Sequence, residues 1–404
     1  MSFELFKTMK HNIFNIRALA AIFAAATLSV SLASCDDIVE YNDGYTAADK
    51  MANTGAPEIM AVYNIGDTAK TTPITEAEIG TMVRIEGKNL NNAKSITFNT
   101  VPVALNDIYT ASTYANVRVP ETLSFEHVNK IEYTTDRGSA SFDFVVPFPS
   151  LTVGSLDNEF ANAGGTVTVN GANFDVYEFG SQSKVFVGDK EATVSNVTKQ
   201  SMTIQIPEGT PDNSLITLKW STSDGSAKTV SLPFRPTNSL LYADFDDVSI
   251  NKDGALKVDI EGDDATSTAS STLGHKHLHF TGNFDAWAWN TYDISRNMID
   301  AGDITNLDDY VLKFEVLTTN EHPLTEATGL KFCFNWGDTY NWNPANGAGI
   351  NTFGNWQTVT LPLAPMATKG ISAAGTWQTL RITMQPSAAY SADFCIGNIR
   401  IVKK

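Results

Sequence analysis

The chain has 404 residues and a formal net charge of -17, from 45 acidic and 28 basic side chains. An acidic surface argues against nucleic acid, anionic lipid and polyanionic ligands, and the sequence shows no basic cluster that would reverse this. Three cysteines in a chain of this length exclude a disulfide-stabilised scaffold. The length allows roughly two to four domains, and many short alternating apolar runs predict an all-β protein.

Residues 1–34 have the organisation of an export signal. Lys7, Lys10 and Arg17 precede an apolar run that is too short to span a bilayer, and Leu32-Ala33-Ser34 then precede Cys35. This ending resembles a bacterial lipobox, which implies that Cys35 is lipidated and becomes the mature N-terminus, anchored in the cell outer membrane. A plain signal peptide with an incidental cysteine is the alternative.

Residues 35–56 are polar, contain Gly44 and Gly55 and show no periodicity, which predicts a flexible tether. Asp36-Asp37, directly after the cysteine, resembles the acidic export signal of surface lipoproteins in the Bacteroidota. That resemblance implies an anchor facing the outside. Because Asp at this position retains some lipoproteins at the inner membrane in other bacteria, the leaflet of the anchor is left open.

One pattern occurs twice between residues 57 and 236. Residues 83–90 (VRIEGKNL) are echoed by residues 167–174 (VTVNGANF), and later strands and hairpin turns repeat in the same order. Strands of period two that alternate with Gly, Asn and Asp turns predict a sandwich of about seven strands in each unit. The units are predicted at 57–147 and 148–235.

The Gly-x-Asn-Leu/Phe turn in each unit resembles the IPT/TIG immunoglobulin-like family. Neither unit contains a nucleophile with a base, a metal-like cluster or a polar aromatic cluster, so both are expected to be spacers that bind no sugar. Proline-rich segments at 147–149 and 233–236 end the units and favour a semi-rigid joint over a floppy one.

Residues 236–404 contain many short alternating strands and are predicted to form a jelly-roll-type β-sandwich. Three of its motifs are residues 244–246 (DFD), 356–363 (WQTVTLPL) and 398–400 (NIR). In this order they resemble the C-terminal carbohydrate-binding domain of surface glycan-binding lipoproteins, of SGBP-B type, from Bacteroidota polysaccharide-utilisation systems. The resemblance spans the whole chain: anchor, Ig-like repeats and distal sandwich.

This resemblance implies a non-catalytic surface lipoprotein that binds a neutral polysaccharide, β-glucan or xyloglucan-like, and aids its capture for uptake. It also implies that the protein functions beside a TonB-dependent transporter and that transporter's glycan-binding lipoprotein partner. No cofactor is expected. Gly397 stands where the closing strand of relatives more often has Asp, which weighs against a structural calcium.

Six of the seven tryptophans follow residue 280, mixed with tyrosine and asparagine. Flat rings with a polar edge and amides that donate and accept suit a sugar, which has apolar C–H faces and a rim of hydroxyls. Trp287 and Trp289 are predicted to lie on one strand face. The alternative is that one ring of the pair is buried in the core. The predicted glycan-binding residues are Trp336, Tyr340, Trp342, Trp287, Trp289, Tyr292, Asn335 and Asn343.

The rings of Trp336, Tyr340 and Trp342 are expected to face solvent, because they occupy a strand end and the loop 337–344. Trp356 and Trp377 lie in regular strands and are assigned to packing.

A glycoside hydrolase needs two carboxylates beside its cleft, and no motif marks such a pair among Asp285, Asp293, Glu315 and Asp338. The protein is therefore predicted not to be an enzyme. An accessory to a surface glycoside hydrolase and an adhesin-like structural protein are the alternatives.

His275, His277 and His279 share a strand face, but no carboxylate or cysteine adjoins them, so hydrogen-bonded histidines are expected rather than a zinc site. Cys333 and Cys395 either pair or remain buried thiols.

Overall fold

The computed structural model describes residues 51–237, 240–245, 249–253, 257–261, 273–297, 304, 306–371 and 377–404. The predicted export signal, Cys35 and most of the tether lie outside the described residues. Within the described ranges, no helix is long and apolar enough to cross a bilayer.

The first Ig-like domain is a sandwich of two antiparallel four-stranded sheets, β1-β2-β6-β5 and β4-β3-β7-β8. Alternate residues of the strands, such as Val83 and Ile85, point into the core between the sheets. The strands are β1 (Glu58–Asn64), β2 (Met82–Lys88), β3 (Ser95–Phe98), β4 (Val101–Pro102), β5 (Ile108–Thr110), β6 (Tyr114–Arg118), β7 (Lys130–Thr135) and β8 (Gly138–Asp143).

The second Ig-like domain repeats this topology strand for strand, with sheets β9-β10-β14-β13 and β12-β11-β15-β16. The prediction of two related Ig-like sandwiches is therefore confirmed. Its strands are β9 (Thr152–Leu156), β10 (Thr166–Ala172), β11 (Lys184–Val187), β12 (Lys190–Glu191), β13 (Val194–Ser195), β14 (Ser201–Gln205), β15 (Leu215–Ser221) and β16 (Ala227–Pro233).

The repeated Gly-x-Asn motif has a steric cause in both domains. A Cβ on Gly87 would lie 1.9 Å from the Glu58 carbonyl oxygen, and a Cβ on Gly171 would lie 2.0 Å from that of Thr152. Only glycine permits the first strand of each domain to approach this closely. The following Asn89 and Asn173 adopt left-handed φ values of 58° and 67°, which asparagine tolerates better than most residues.

The two Ig-like domains meet around Phe148. Its ring contacts those of Phe125 and Tyr177 edge-on, at centroid distances of 5.4 and 6.0 Å. His127 Nδ1 lies 3.2 Å from the Ser223 carbonyl oxygen on the other side of the junction. Side chains from both domains therefore fix the joint, as expected for a semi-rigid connection.

The C-terminal domain packs a six-stranded sheet, β19-β20-β27-β22-β25 with β17 on β27, against a five-stranded sheet, β18-β21-β26-β23-β24. All strand pairs are antiparallel, so the predicted β-sandwich is confirmed. Its strands are β17 (Leu240–Ala243), β18 (Ser249–Asp253), β19 (Lys257–Glu261), β20 (His277–Phe284), β21 (Asn290–Asn297), β22 (Tyr310–Thr318), β23 (Leu330–Phe334), β24 (Tyr340–Asn341), β25 (Gln357–Pro362), β26 (Trp377–Met384) and β27 (Tyr390–Lys403).

Aromatic rings from both sheets form the core of this sandwich. Phe280 stacks on Phe394 at 4.6 Å within the six-stranded sheet, and Phe314 reaches Phe332 of the opposite sheet at 5.5 Å. Short 3-10 turns occur at Leu105–Asp107, Phe174–Tyr177, Leu307–Asp309, Glu326–Thr328, Pro344–Gly347 and Ala364–Met366.

The second Ig-like domain covers the outer side of the six-stranded sheet. Buried Glu159 pairs with Arg400, at 2.7 Å, and with Lys313, and Arg400 also pairs with buried Glu315 at 2.8 Å. The Glu159 amide donates to the Thr358 hydroxyl at 2.8 Å. This charged joint leaves the outer side of the five-stranded sheet, on the opposite side of the sandwich, away from the Ig-like domain.

An apolar cluster lies in the same joint, where Phe160 of the Ig-like domain packs with Leu273, Leu317, Trp356 and Cys395 of the sandwich. Ionic and apolar contacts thus hold the two domains together.

Candidate functional site

The outer side of the sheet β18-β21-β26-β23-β24, called the outer face below, carries polar side chains in register. On β26, Leu380 and Ile382 point into the core, so Arg381 points outward. Arg381 pairs in register with Asp293 on β21 and Cys333 on β23. Lys331, two residues before Cys333 on β23, also lies on the outer face.

Four tryptophans are exposed at the ends of these strands. Trp287 and Trp289 lie in the turn between β20 and β21, Trp336 follows β23, and Trp377 begins β26. Their exposed fractions are 65%, 53%, 54% and 67% respectively. Large aromatic side chains usually bury most of their surface, so four exposed rings around one sheet indicate a binding surface.

Contacts with two cations of the outer face show that two of these rings lie on that face. Lys331 Nζ lies 5.4 Å from the Trp289 ring centroid, and Arg381 Cζ lies 5.8 Å from that of Trp336. Trp377 shares the outward parity of Arg381 on β26. The rings of Trp289, Trp336 and Trp377 therefore flank the same polar surface.

Hydrogen bonds fix both cations. Arg381 Nε and Nη2 donate to the two carboxylate oxygens of Asp293 at 2.7 and 2.8 Å, a bidentate pair. Lys331 Nζ donates to Gln385 Oε1 at 2.7 Å. The polar groups between the rings are thus preorganised.

The backbone presents Trp287 and Trp336 in a conformation that is costly for a bulky side chain. Their φ values are 66° and 55°, in the left-handed region. Strain of this kind persists where the surroundings fix it, and it concentrates at functional sites. The Trp287 amide is held by the Pro386 carbonyl at 2.7 Å.

Asn335, itself at φ 53°, fixes the backbone directly before Trp336. Its Nδ2 donates to Gln378 Oε1 at 2.7 Å, and its Oδ1 accepts from the Thr379 amide at 3.0 Å. The Asn335 amide group is therefore a positioning group for Trp336.

Beside Trp287 the outer face continues into a depression of about 620 Å³. Its lining residues include Asn341, Asn343, Lys331, Gln385 and Trp342. From Trp377 to Gln385 the strand advances eight residues, about 27 Å at roughly 3.4 Å per residue. This length suits an extended oligomer.

Residues 234–403 match the family model of the surface glycan-binding protein B xyloglucan binding domain. The C-terminal sandwich is similar to this family over its whole length. Residues 151–234 match the IPT/TIG domain. The family resemblance drawn from the sequence is thereby confirmed, and the sandwich is called the glycan-binding domain below, after the name of the model that it matches.

One solved structure shares this fold, and a second is more distantly similar. Surface glycan-binding protein PbSGBP-B from Prevotella bryantii is 20% identical, with a TM-score of 0.59 over 87% of this chain and 99% of that chain. SGBP-B from a complex xyloglucan utilization locus in Bacteroides uniformis is 18% identical, with a TM-score of 0.44 over 86% of this chain and 99% of that chain. No curated protein sequence matches this chain.

The expectation that the Trp342 ring faces solvent is wrong, because Trp342 is only 5% exposed. The residues 337–341 do not form a free loop: Tyr340 pairs in register with Phe332, so β24 adds an edge strand that turns the next side chain inward. The Trp342 ring contacts Phe314 and Phe332 at 5.5 and 6.0 Å in the core of the glycan-binding domain.

Both tyrosines of the predicted platform also differ from expectation. Tyr292 is fully buried and lies edge-on to Phe280 at 5.1 Å, because it has the inward parity of β21. Burial also raises the pKa of its hydroxyl. Tyr340 is half-buried and packs against the core rather than standing free in a loop.

The remaining predicted binding residues fall on the outer face or beside it. Trp287 and Trp289 are exposed as required for binding, but they lie in a turn and not on one strand face. Asn343 is exposed in the lining of the depression. Asn335 is committed to internal hydrogen bonds.

The assignment of Trp377 to packing is wrong, whereas that of Trp356 is confirmed by its burial in the joint. Leu380, Ile382 and Met384 are apolar and set the inward parity of β26, so the sequence did contain a signal that Trp377 points outward. Lys331, Arg381 and Gln385 were missed, because nothing in their local sequence marks them.

His277 and His279 of the glycan-binding domain contact other side chains of that domain. His279 Nε2 lies 2.8 Å from Asp393 Oδ1, and His277 lies 5.4 Å from the Trp356 ring. Cys333 and Cys395 lie on different sheets as buried free thiols. Within the described ranges, no group of three or more His, Cys, Asp or Glu side chains is placed to hold a metal.

Gly397 has a packing cause in this chain. A Cβ there would lie 2.5 Å from Leu273 Cδ1 and 3.4 Å from His277 Cβ. Any side chain at position 397 would therefore require the Leu273 side chain to shift.

Trp342→Ala is expected to destabilise the glycan-binding domain by about 3–5 kcal/mol, as large-to-small changes at buried aromatic sites do. Thermal melting followed by circular dichroism measures the shift. An unchanged melting temperature would contradict the core assignment of Trp342.

Proposed function

We propose that the outer face of the glycan-binding domain binds a neutral polysaccharide of β-glucan or xyloglucan type without cleaving it. The observation that carries this proposal is the set of four exposed tryptophans around polar groups that are already fixed by hydrogen bonds. Indole rings stack on the C–H faces of sugars, and the amides between them suit the hydroxyl rim. The name of the matching family, a xyloglucan binding domain, supports this ligand class.

The charges of the outer face favour a neutral ligand. Arg381 is neutralised by Asp293 in a bidentate pair. Lys331 donates to the neutral Gln385 amide and has no carboxylate partner among the described residues. The whole chain carries a formal charge of -17 and repels polyanions at long range.

The positions of the acidic residues support binding without hydrolysis. Asp293 is held by Arg381, and Glu315 is buried in the joint on the other sheet. Asp285 precedes Trp287 at the Gln385 end of β26, and Asp338 adjoins Asn335 at the Thr379 end. Six residues of strand separate those ends, about 20 Å, whereas glycosidase carboxylates lie roughly 5–10 Å apart.

Isothermal titration of the full chain with xyloglucan and mixed-linkage β-glucan tests this function. We expect dissociation constants between about 1 μM and 1 mM, roughly -8 to -4 kcal/mol, and no release of reducing ends. Weak sites suffice where many copies on one cell engage one long polymer. Release of reducing ends, or the absence of binding to every neutral glucan, would contradict the proposal.

We also propose that Cys35 anchors the protein in the outer membrane, where the glycan-binding domain captures polymer for a TonB-dependent transporter and its glycan-binding lipoprotein partner. The support is the lipobox-like Leu-Ala-Ser-Cys ending and the two spacer domains between anchor and site. Cys35→Ser is expected to move the protein from the membrane fraction to the soluble fraction, and mass spectrometry of the wild type should find acyl chains on Cys35. An unmodified Cys35 in the mature wild type would contradict the anchor.

A further inference from the structure

The second Ig-like domain has a basic, aromatic depression that the spacer interpretation does not explain. It lies on β11, β15 and β16 and measures about 430 Å³. Three lysines and two rings are among its lining residues: Lys184, Lys219, Lys228, Phe186 and Trp220. In a chain with a formal charge of -17, three lysines around one depression form a local exception.

Strand register brings these side chains together. Lys184 on β11 pairs in register with Lys219 on β15, so both ammonium groups rise from the same face. Lys219 Nζ lies 4.5 Å from the centroid of the half-buried Phe186 ring. On β16, Thr229 pairs in register with Lys219 and shares this face, whereas Lys228 pairs with Trp220 and has the opposite parity, at the edge of the sheet.

The acidic residues near the depression leave most of this charge uncompensated. Glu191 pairs with Lys184 at 3.0 Å. Asp224, in the adjoining hairpin turn, accepts from Thr222 Oγ1 at 2.6 Å and from the Ser226 amide at 2.9 Å. Among the described residues, no carboxylate lies within ion-pair distance of Lys219 or Lys228.

The first Ig-like domain shows that the fold does not require this chemistry. It has the same topology, and strand register places Ser95 and Thr134 where the second domain has Lys184 and Lys219. Thr97 occupies the position of Phe186. Two basic residues and a ring on one copy of a duplicated surface are therefore not explained by folding.

We propose that this depression is a second saccharide site, which binds an anionic, carboxylate-bearing sugar chain. The ammonium group of Lys219 suits a carboxylate, and the ring of Phe186 offers apolar contact to ring C–H faces. Gln182, Ser221 and Thr229 supply hydrogen-bonding groups for hydroxyls. The volume lies within the range of small-ligand pockets, about 300–1,000 Å³.

The site was not visible in the sequence because Lys184 and Lys219 are 35 positions apart and meet only across two paired strands. It corrects the expectation that the chain has no local basic cluster. It is independent of the outer face of the glycan-binding domain, since it lies on another domain.

The test is isothermal titration of the full chain with tetragalacturonate, with cellotetraose as the neutral probe. Tetragalacturonate is expected to bind, and its affinity is expected to fall at least threefold between about 50 and 500 mM NaCl, because salt screens exposed charges. In the first domain, Thr134 and Thr97 occupy the positions of Lys219 and Phe186. Lys219→Thr and Phe186→Thr therefore introduce residues that this fold accepts, and both variants should fold. Each is expected to weaken tetragalacturonate binding at least fivefold and to leave xyloglucan binding unchanged.

Lys130→Thr, on the matching strand of the first domain, is the control and should bind tetragalacturonate like the wild type. The proposal is wrong if the wild type shows no saturable binding, or if Trp336→Ala abolishes that binding while Lys219→Thr does not. It is also wrong if Lys219→Thr releases the protein from vesicles of anionic phospholipid while tetragalacturonate fails to bind, because the depression would then contact a membrane.

Discussion

Replacing Trp336 by alanine is expected to weaken xyloglucan binding at least tenfold, a loss of about 1.4 kcal/mol or more. The ring is more than half exposed, sits beside the fixed Arg381 guanidinium and is presented by a left-handed backbone, so its surface is available for stacking. The melting temperature should change by no more than about 1 °C, because an exposed ring contributes little to the core. Titration calorimetry and thermal melting on the same variant separate the two effects.

Phe353→Ala is the matched control. Phe353 is 68% exposed, and its φ of 52° is left-handed like that of Trp336. It lies between β24 and β25, and the next residue, Gly354, donates its amide to the Thr318 carbonyl of β22, in the sheet opposite the outer face. Its removal should leave xyloglucan binding within error. If Phe353→Ala lost xyloglucan binding and Trp336→Ala did not, the binding surface would lie beside the six-stranded sheet and not on the outer face.

The domain architecture was predictable from the sequence because its causes are local. Gly87 and Gly171 recur because each permits close approach of the first strand of its domain, and a steric requirement of this kind leaves a motif. The inward apolar alternation of each strand is equally local. Fold class and repeat therefore followed from residues only a few positions apart.

The candidate site was predictable only in part, because exposure depends on pairing between distant strands. Trp336 and Trp342 have similar local surroundings, and the edge strand β24 alone separates an exposed ring from a buried one. The cations of the outer face arise on β23 and β26, about 50 positions apart in the chain, and meet only through register. No spacing rule finds such a pair.

The joint between the second Ig-like domain and the glycan-binding domain depends on residues that are even further apart in the sequence. Glu159 and Arg400 are 241 positions apart. Their contact covers the six-stranded sheet and leaves the outer face uncovered, so the joint determines which side of the sandwich faces the ligand. A change in this joint should therefore affect stability without touching the outer face.

Arg400→Met is expected to destabilise the protein by about 3–5 kcal/mol at neutral pH, because it leaves a buried carboxylate without its partner. Glu159 keeps Lys313 in this variant, whereas Glu315 keeps only the Thr358 hydroxyl, which donates to its Oε2 at 2.7 Å. Chemical denaturation of the full chain, followed by tryptophan fluorescence, measures the loss. Lys88→Met, which removes an exposed pair with Glu58, should cost less than about 1 kcal/mol.

The loss in Arg400→Met should depend on pH in a defined direction. Burial raises the pKa of the Glu315 carboxyl in the folded protein, and the Arg400 guanidinium opposes that rise. Without Arg400 the folded state holds the Glu315 proton to higher pH than the unfolded chain does. A group whose pKa is raised on folding loses its stabilising contribution as pH increases, so the deficit should be small near pH 5 and larger near pH 8.

The double variant Arg400→Met, Glu315→Gln tests this cause directly. A glutamine at position 315 carries no charge, so it should recover more than half of the stability lost at pH 8 and remove the pH dependence of the deficit. Glycan binding by the refolded double variant should match the wild type, since the outer face lies on the other sheet. If Arg400→Met is as stable as the wild type at both pH values, the charges of the joint are solvated and do not hold the two domains together.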